Sequence, residues 1–84
     1  MKEIIIYTTE ICPYCIRAKD LFKRKGLIYK EINVKSEVIR EEMVKKTGGS
    51  KTVPQIFIND FYVGGYDQLY ELDRKGMLDI KLAQ

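Results

Sequence analysis

A chain of 84 residues, 45% hydrophobic and 32% charged, has the size and composition of one folded domain, and residues 1–84 are expected to form a single unit. Fifteen Lys+Arg against twelve Asp+Glu leave a net charge of +3. That balance is too mild, and too interleaved at Lys19-Asp20 and Arg40-Glu41-Glu42, to track a nucleic-acid backbone. No apolar run approaches the roughly 18 residues that cross a bilayer, and residues 1–7 are too short for a secretion signal, so a cytoplasmic protein with no membrane partner is expected.

Ile4-Ile5-Ile6-Tyr7 is a short β-branched run without alternation, which suits a strand at 3–8 buried on both faces. Pro13 fits the first position of a helix, and Cys15, Ala18, Leu21 and Phe22 recur at helical spacing up to Gly26, which predicts a helix over 13–25. Ile28, Ile32 and Val34 mark a second strand over 28–33, parallel to the first. Ser36 can cap a helix over 36–47 that starts acidic at Glu37, ends basic at Lys45 and Lys46, and stops at Gly48. Gln55-Ile56-Phe57-Ile58 and Phe61-Tyr62-Val63 flank Asn59-Asp60, a pair that tolerates positive φ, so a tight hairpin is expected. Gly64-Gly65 breaks it, and Asp67 is expected to cap a last helix carrying Leu69 and Leu72 and ending at Gly76. The order β-α-β-α-β-β-α implies a small mixed sheet with helices packed on it, and such sheets place chemistry at the first strand-to-helix turn.

Cys12-Pro13-Tyr14-Cys15 falls on that turn. These two cysteines and the absence of histidine supply half a tetrahedral zinc site at most, so no structural zinc is expected within one chain. A thiol at a helix start meets unpaired N–H groups and the positive end of the helix dipole, both of which favour the thiolate, so Cys12 is the expected attacker. Cys15, one turn later on the same side, is the expected resolving thiol. A pKa lowered from about 8.5 to about 7 raises the thiolate fraction at neutral pH roughly sixteenfold. Reduced nucleophilicity takes back about fivefold, so the larger benefit is a sulfur that leaves readily. The competing readings are a structural staple or two core cysteines. A staple has little to offer, since closing a loop of about four residues is worth only about 2 kcal/mol.

Thr52-Val53-Pro54 precedes the third strand. Its plain reading is a strand-start proline; its sharper one is a cis peptide that turns the Val53 backbone toward the cysteines to pair with an extended thiol peptide. Gly64-Gly65-Tyr66-Asp67 is either a hinge and cap or a place where backbone approaches a ligand and a helix start offers N–H groups to a carboxylate.

In this order and spacing, Cys12-Pro13-Tyr14-Cys15, Thr52-Val53-Pro54 and Gly64-Gly65-Tyr66-Asp67 resemble the dithiol glutaredoxins, closest to the small bacterial type, over essentially the whole chain. The resemblance implies a thioredoxin-like fold, an α/β architecture with a four-stranded mixed sheet flanked by three helices. It also implies a monomeric glutathione-dependent thiol-disulfide oxidoreductase serving redox homeostasis, with glutathione as co-substrate and no tightly bound cofactor or metal. Its partners would be disulfide-bearing or glutathionylated client proteins. Carried over, Cys12 attacks, Cys15 resolves, and Tyr14, Thr52, Val53, Pro54, Gly65, Tyr66 and Asp67 hold glutathione. Thr9 stands where many members carry lysine, and Asp67-Gln68 replaces an acidic pair; Arg17, Lys19, Lys46 or Lys51 would have to supply the missing cation. Two further readings are a redoxin recharged by a reductase protein and a dimeric iron-sulfur carrier, the latter disfavoured by Pro13. An interaction module with incidental cysteines is the third.

Overall fold

The computed structural model describes residues 3–83, so the ends of the expected 1–84 unit, residues 1, 2 and 84, lie outside the described residues. β1 (Ile4–Thr8) is followed by α1 (Pro13–Arg24), β2 (Lys30–Asn33), α2 (Glu37–Thr47), β3 (Gln55–Ile58), β4 (Phe61–Gly64), α3 (Tyr66–Arg74) and α4 (Met77–Ala83). The sheet runs β2-β1-β3-β4. β1 pairs with β2 in parallel and with β3 antiparallel, and β4 closes the edge antiparallel to β3. This is the thioredoxin-like arrangement, with four helices rather than the expected three.

Why β1 lacks alternation is plain from its neighbours. Ile4 and Ile6 point into a large core with Ala18, Leu21 and Phe22 of α1, Leu69 of α3 and Leu78 and Leu82 of α4. Tyr7 points the other way, into a small cluster with Val34 and Met43 that α2 covers. Side chains of a strand alternate between faces, so a strand apolar at every position needs cover on both.

Three boundaries differ from expectation. β2 begins at Lys30 rather than at 28, because Ile28 is 92% exposed and Leu27 is drawn back by its N–H to the Phe22 carbonyl. α3 begins at Tyr66 with Gly65 as N-cap, so Asp67 lies inside the first turn instead of capping it. The cause is Gln68, whose Oε1 accepts from the Gly65 N–H at 2.9 Å and closes the helix start one turn back. Beyond Gly76 the chain re-enters a helix, α4, held by buried Leu78 and Leu82 at i,i+4 spacing. Seven residues are too few for a helix to form on propensity alone, so this one depends on burial. Lys25 at the end of α1 ties these parts together through Asp73 at 2.8 Å and Asp79 at 3.5 Å.

The expected hairpin is present, with Asn59 at φ 47° and Asp60 at φ 70°. The chain enters β1 through a clasp on that turn: Glu3 N–H donates to Asn59 Oδ1 at 2.7 Å, and Asn59 N–H to the Glu3 carbonyl at 2.9 Å.

Candidate active site

β1 delivers the chain through residues 9–11 to Cys12, the N-cap of α1. Its Sγ accepts the Cys15 N–H at 3.1 Å, the place a serine or aspartate oxygen takes in an ordinary cap. Pro13 follows at the first helical position, where its missing N–H costs nothing. The two cysteines form a disulfide with their Cα atoms 5.1 Å apart. Cys12 is 7% exposed and Cys15 1%, so of the pair only Cys12 has a face toward solvent. A helix start that aims an amide at a sulfur favours negative charge on it once the bond is reduced.

Opposite stands the segment from Ser50 to Pro54, whose carbonyls are taken one by one. Thr47 Oγ1 donates to the Ser50 carbonyl at 3.3 Å, Arg40 Nη1 to that of Lys51 at 3.3 Å, and Gln55 Nε2 to that of Thr52 at 2.9 Å. The Val53 carbonyl instead faces Cys12 Sγ at 3.8 Å, and the Val53–Pro54 peptide bond is cis. Gln55 is the anchor. At 4% exposure it bonds both the carbonyl and the hydroxyl of Thr52, while its Oε1 accepts the Tyr62 hydroxyl from β4. Every polar atom of this buried amide is thereby engaged in holding the segment. Reading the sequence missed Gln55; the available signal was a polar residue opening an otherwise apolar strand.

The third wall is the diglycine turn. Gly64 sits at φ 112°, a conformation that calls for glycine, and a Cβ there would press on the Gln68 side chain, 3.1 Å from its Cγ. Tyr14, Thr52, Val53, Pro54, Gly65, Tyr66 and Asp67 line one cleft beside the cysteines, together with Gln68, which the sequence reading had left outside the site. The Tyr14 and Tyr66 rings meet across its rim with centroids 6.1 Å apart.

None of the four cations considered as substitutes for lysine at position 9 lines this cleft. Lys19 is paired with Glu31 at 3.0 Å, Lys46 lies in a separate hollow with Ile5, Tyr7 and Phe57, and Arg17 sits over the Tyr14 ring at 5.2 Å. Lys51 faces a hollow on α2 with Arg40 and Val44.

Residues 4–63 match the Glutaredoxin family. Glutaredoxin 1 of Rickettsia felis is 51% identical over 78 residues, covering 90% of this chain and 76% of its own length. The glutaredoxin of Pseudomonas aeruginosa is 49% identical over 84 residues and 99% of both chains. A solution structure of glutaredoxin from Brucella melitensis superposes with a TM-score of 0.82 at 47% identity, over 95% of this chain and 87% of that one. A buckwheat glutaredoxin in complex with glutathione superposes at 0.87 with 31% identity, over 98% and 77%. Likeness of this extent, in sequence and in fold alike, makes the chain a member of the glutaredoxin family and so of the thiol-disulfide oxidoreductases.

Proposed function

We propose that the chain reduces disulfides and glutathione mixed disulfides, with glutathione as electron donor. The observation that carries this reading is the placement of Cys12 Sγ, accepting a helix-opening N–H at 3.1 Å while facing the Val53 carbonyl at 3.8 Å. The Cys12 thiolate attacks one sulfur of the substrate, forming a mixed disulfide and releasing the other sulfur as a thiolate that takes up a proton. Two resolutions follow. Cys15 can attack Cys12, giving the intramolecular disulfide and the second client thiol, after which two glutathione molecules restore the dithiol and leave as glutathione disulfide. Where the group held on Cys12 is glutathione itself, a second glutathione can displace it directly.

In the cleft, the Val53 backbone pairs with the cysteinyl residue of glutathione, and Thr52 and Pro54 shape the groove. The N–H groups of Tyr66 and Asp67, in the first turn of α3, receive the γ-glutamyl carboxylate, with the Asp67 carboxylate facing its amine. Tyr14 packs beside the bound sulfur. The buckwheat relative, solved with glutathione, supports this assignment.

The test is a pair of variants assayed with a glutathionylated peptide. Cys12→Ser abolishes turnover, whereas Cys15→Ser retains it, because glutathione itself resolves the intermediate. Activity surviving in Cys12→Ser would overturn the assignment of roles.

A further inference from the structure

Beyond the glutathione cleft, the rim continues. The Tyr14 ring meets Tyr66, and Tyr66 meets Tyr70, each pair 6.1 Å apart, making an aromatic ribbon from the edge of the disulfide along α3. Tyr14 and Tyr70 are 52% and 49% exposed. Beside the ribbon, Arg17, Asp20, Lys23 and Arg24 of α1 and Tyr66 of α3 line a second groove, which shares Tyr66 with the first. Among the described residues Arg17, Lys23 and Arg24 form no salt bridge, whereas Lys19 of the same helix and Lys25 at its C-cap are paired with carboxylates. Exposed tyrosines beside arginines without a carboxylate partner, Arg17 stacked over the Tyr14 ring among them, are the composition of binding hot spots, and Asp20 offsets only part of the positive charge.

We infer that this groove binds an acidic, extended segment of a client polypeptide on one side of its reactive cysteine, a role that rests on Cys12 as the attacking sulfur. Charge complementarity and continuity with the cleft select this occupant. A nucleic acid is the poorer match, since the cations are confined to one helix flank and carry Asp20 among them. The geometry also sets a register. At 1.5 Å per residue, the rise along the α1 axis from Cys12 is about 7 Å to Arg17 and about 17 Å to the Lys23-Arg24 pair. An extended client advances about 3.3 Å per residue, so its acids belong about two and about five residues from its cysteine.

The test uses the intact protein and synthetic peptides whose single cysteine is disulfide-linked to glutathione. One pair of peptides carries aspartates two and five residues away, on one side or the other of the cysteine; a second carries lysines there; a third carries the aspartates ten residues away. Expected is a KM about tenfold lower for one of the first pair than for its lysine counterpart, a preference that shrinks as salt is raised. Lys23→Gln/Arg24→Gln should remove about half of that preference, in logarithmic terms, while leaving turnover of bis(2-hydroxyethyl) disulfide unchanged. Equal KM values for aspartate and lysine peptides, or an equal benefit from aspartates ten residues away, overturn the groove. So does a duplex or single-stranded oligonucleotide that binds and competes at the same concentrations as the aspartate peptide. A wild type inert toward every disulfide refutes the role of Cys12 itself and the groove with it, so the two failures are told apart.

Discussion

The two faces of the sheet are built unequally. On one, α1, α3 and α4 close over a core that counts eleven buried residues among those described, Phe22, Ile6 and Leu69 included; on the other, α2 contributes buried Met43 and half-buried Ile39 to a smaller cluster with Tyr7 and Val34. The proposed nucleophile and the segment proposed to receive substrate fall on opposite sides of this division. Cys12 opens α1, which is anchored in the thick core through Ala18, Leu21 and Phe22, while Val53 packs against the thin one. The sulfur thus rests on the larger core and the segment facing it on the smaller one.

The sharpest way to break that comparison is to remove packing from each face in turn. Phe22→Ala, at a site with no exposure, should cost about 3–5 kcal/mol in urea unfolding. Met43→Ala should cost about 2 kcal/mol, the low end for such a truncation, because fewer neighbours lose contact. It should also raise KM for a glutathionylated peptide more than it changes the rate at which iodoacetamide labels Cys12. Equal unfolding costs for the two variants, or equal effects on KM and labelling, would mean that the faces do not differ in the way described.

A smaller effect is expected at the anchor of the receiving segment. Tyr62→Phe keeps the ring, whose centroid lies 5.1 Å from that of Phe57, and removes only the hydroxyl bonded to Gln55. Stability should fall by about 1 kcal/mol. KM should rise a few-fold with Cys12 labelling unchanged; a matching fall in labelling would show that Tyr62 acts on the whole site rather than on the segment. The smallest effect is that of Glu31, which joins β2 to β1 through the Thr8 hydroxyl at 2.7 Å and to α1 through Lys19. The Thr8 hydrogen bond first, and then Lys19, hold its carboxyl below the usual carboxylate range. A lowered folded pKa means that this contribution is complete above the ordinary glutamate pKa and is lost as pH falls through the lowered value. The pair is partly exposed, so Glu31→Gln should cost under about 1 kcal/mol at neutral pH, with the gap to wild type closing in acid.

Most of this architecture was legible because the local signals were strong and agreed. An unbroken β-branched run at Ile4-Ile5-Ile6, Pro13 inside a helix start, Ser36 before Glu37 and a hairpin at Asn59-Asp60 each name their element by sterics or capping alone. What escaped depended on partners distant in the chain or on burial. α4 exists because Leu78 and Leu82 find the core, and Ile28 drops out of β2 although its residue type suits a strand. The cap of α3 went to Gly65 because Gln68 reaches back, which a search for Ser, Thr, Asp or Asn at the cap cannot see. Within the site, the cysteines and the residues of the cleft were visible as motifs, whereas Gln55 declares itself only once Thr52 and Tyr62 are seen on either side of it.

The sulfur of Cys12 has two employments at once, since the atom that exchanges electrons is also the acceptor that seals the first turn of α1. A thiolate is a stronger acceptor than a disulfide sulfur, so the amide of Cys15 is better satisfied after reduction than before. Reduction is therefore expected to strengthen the cap of this twelve-residue helix, which would tie the oxidation state of the cysteines to the firmness of the helix they open.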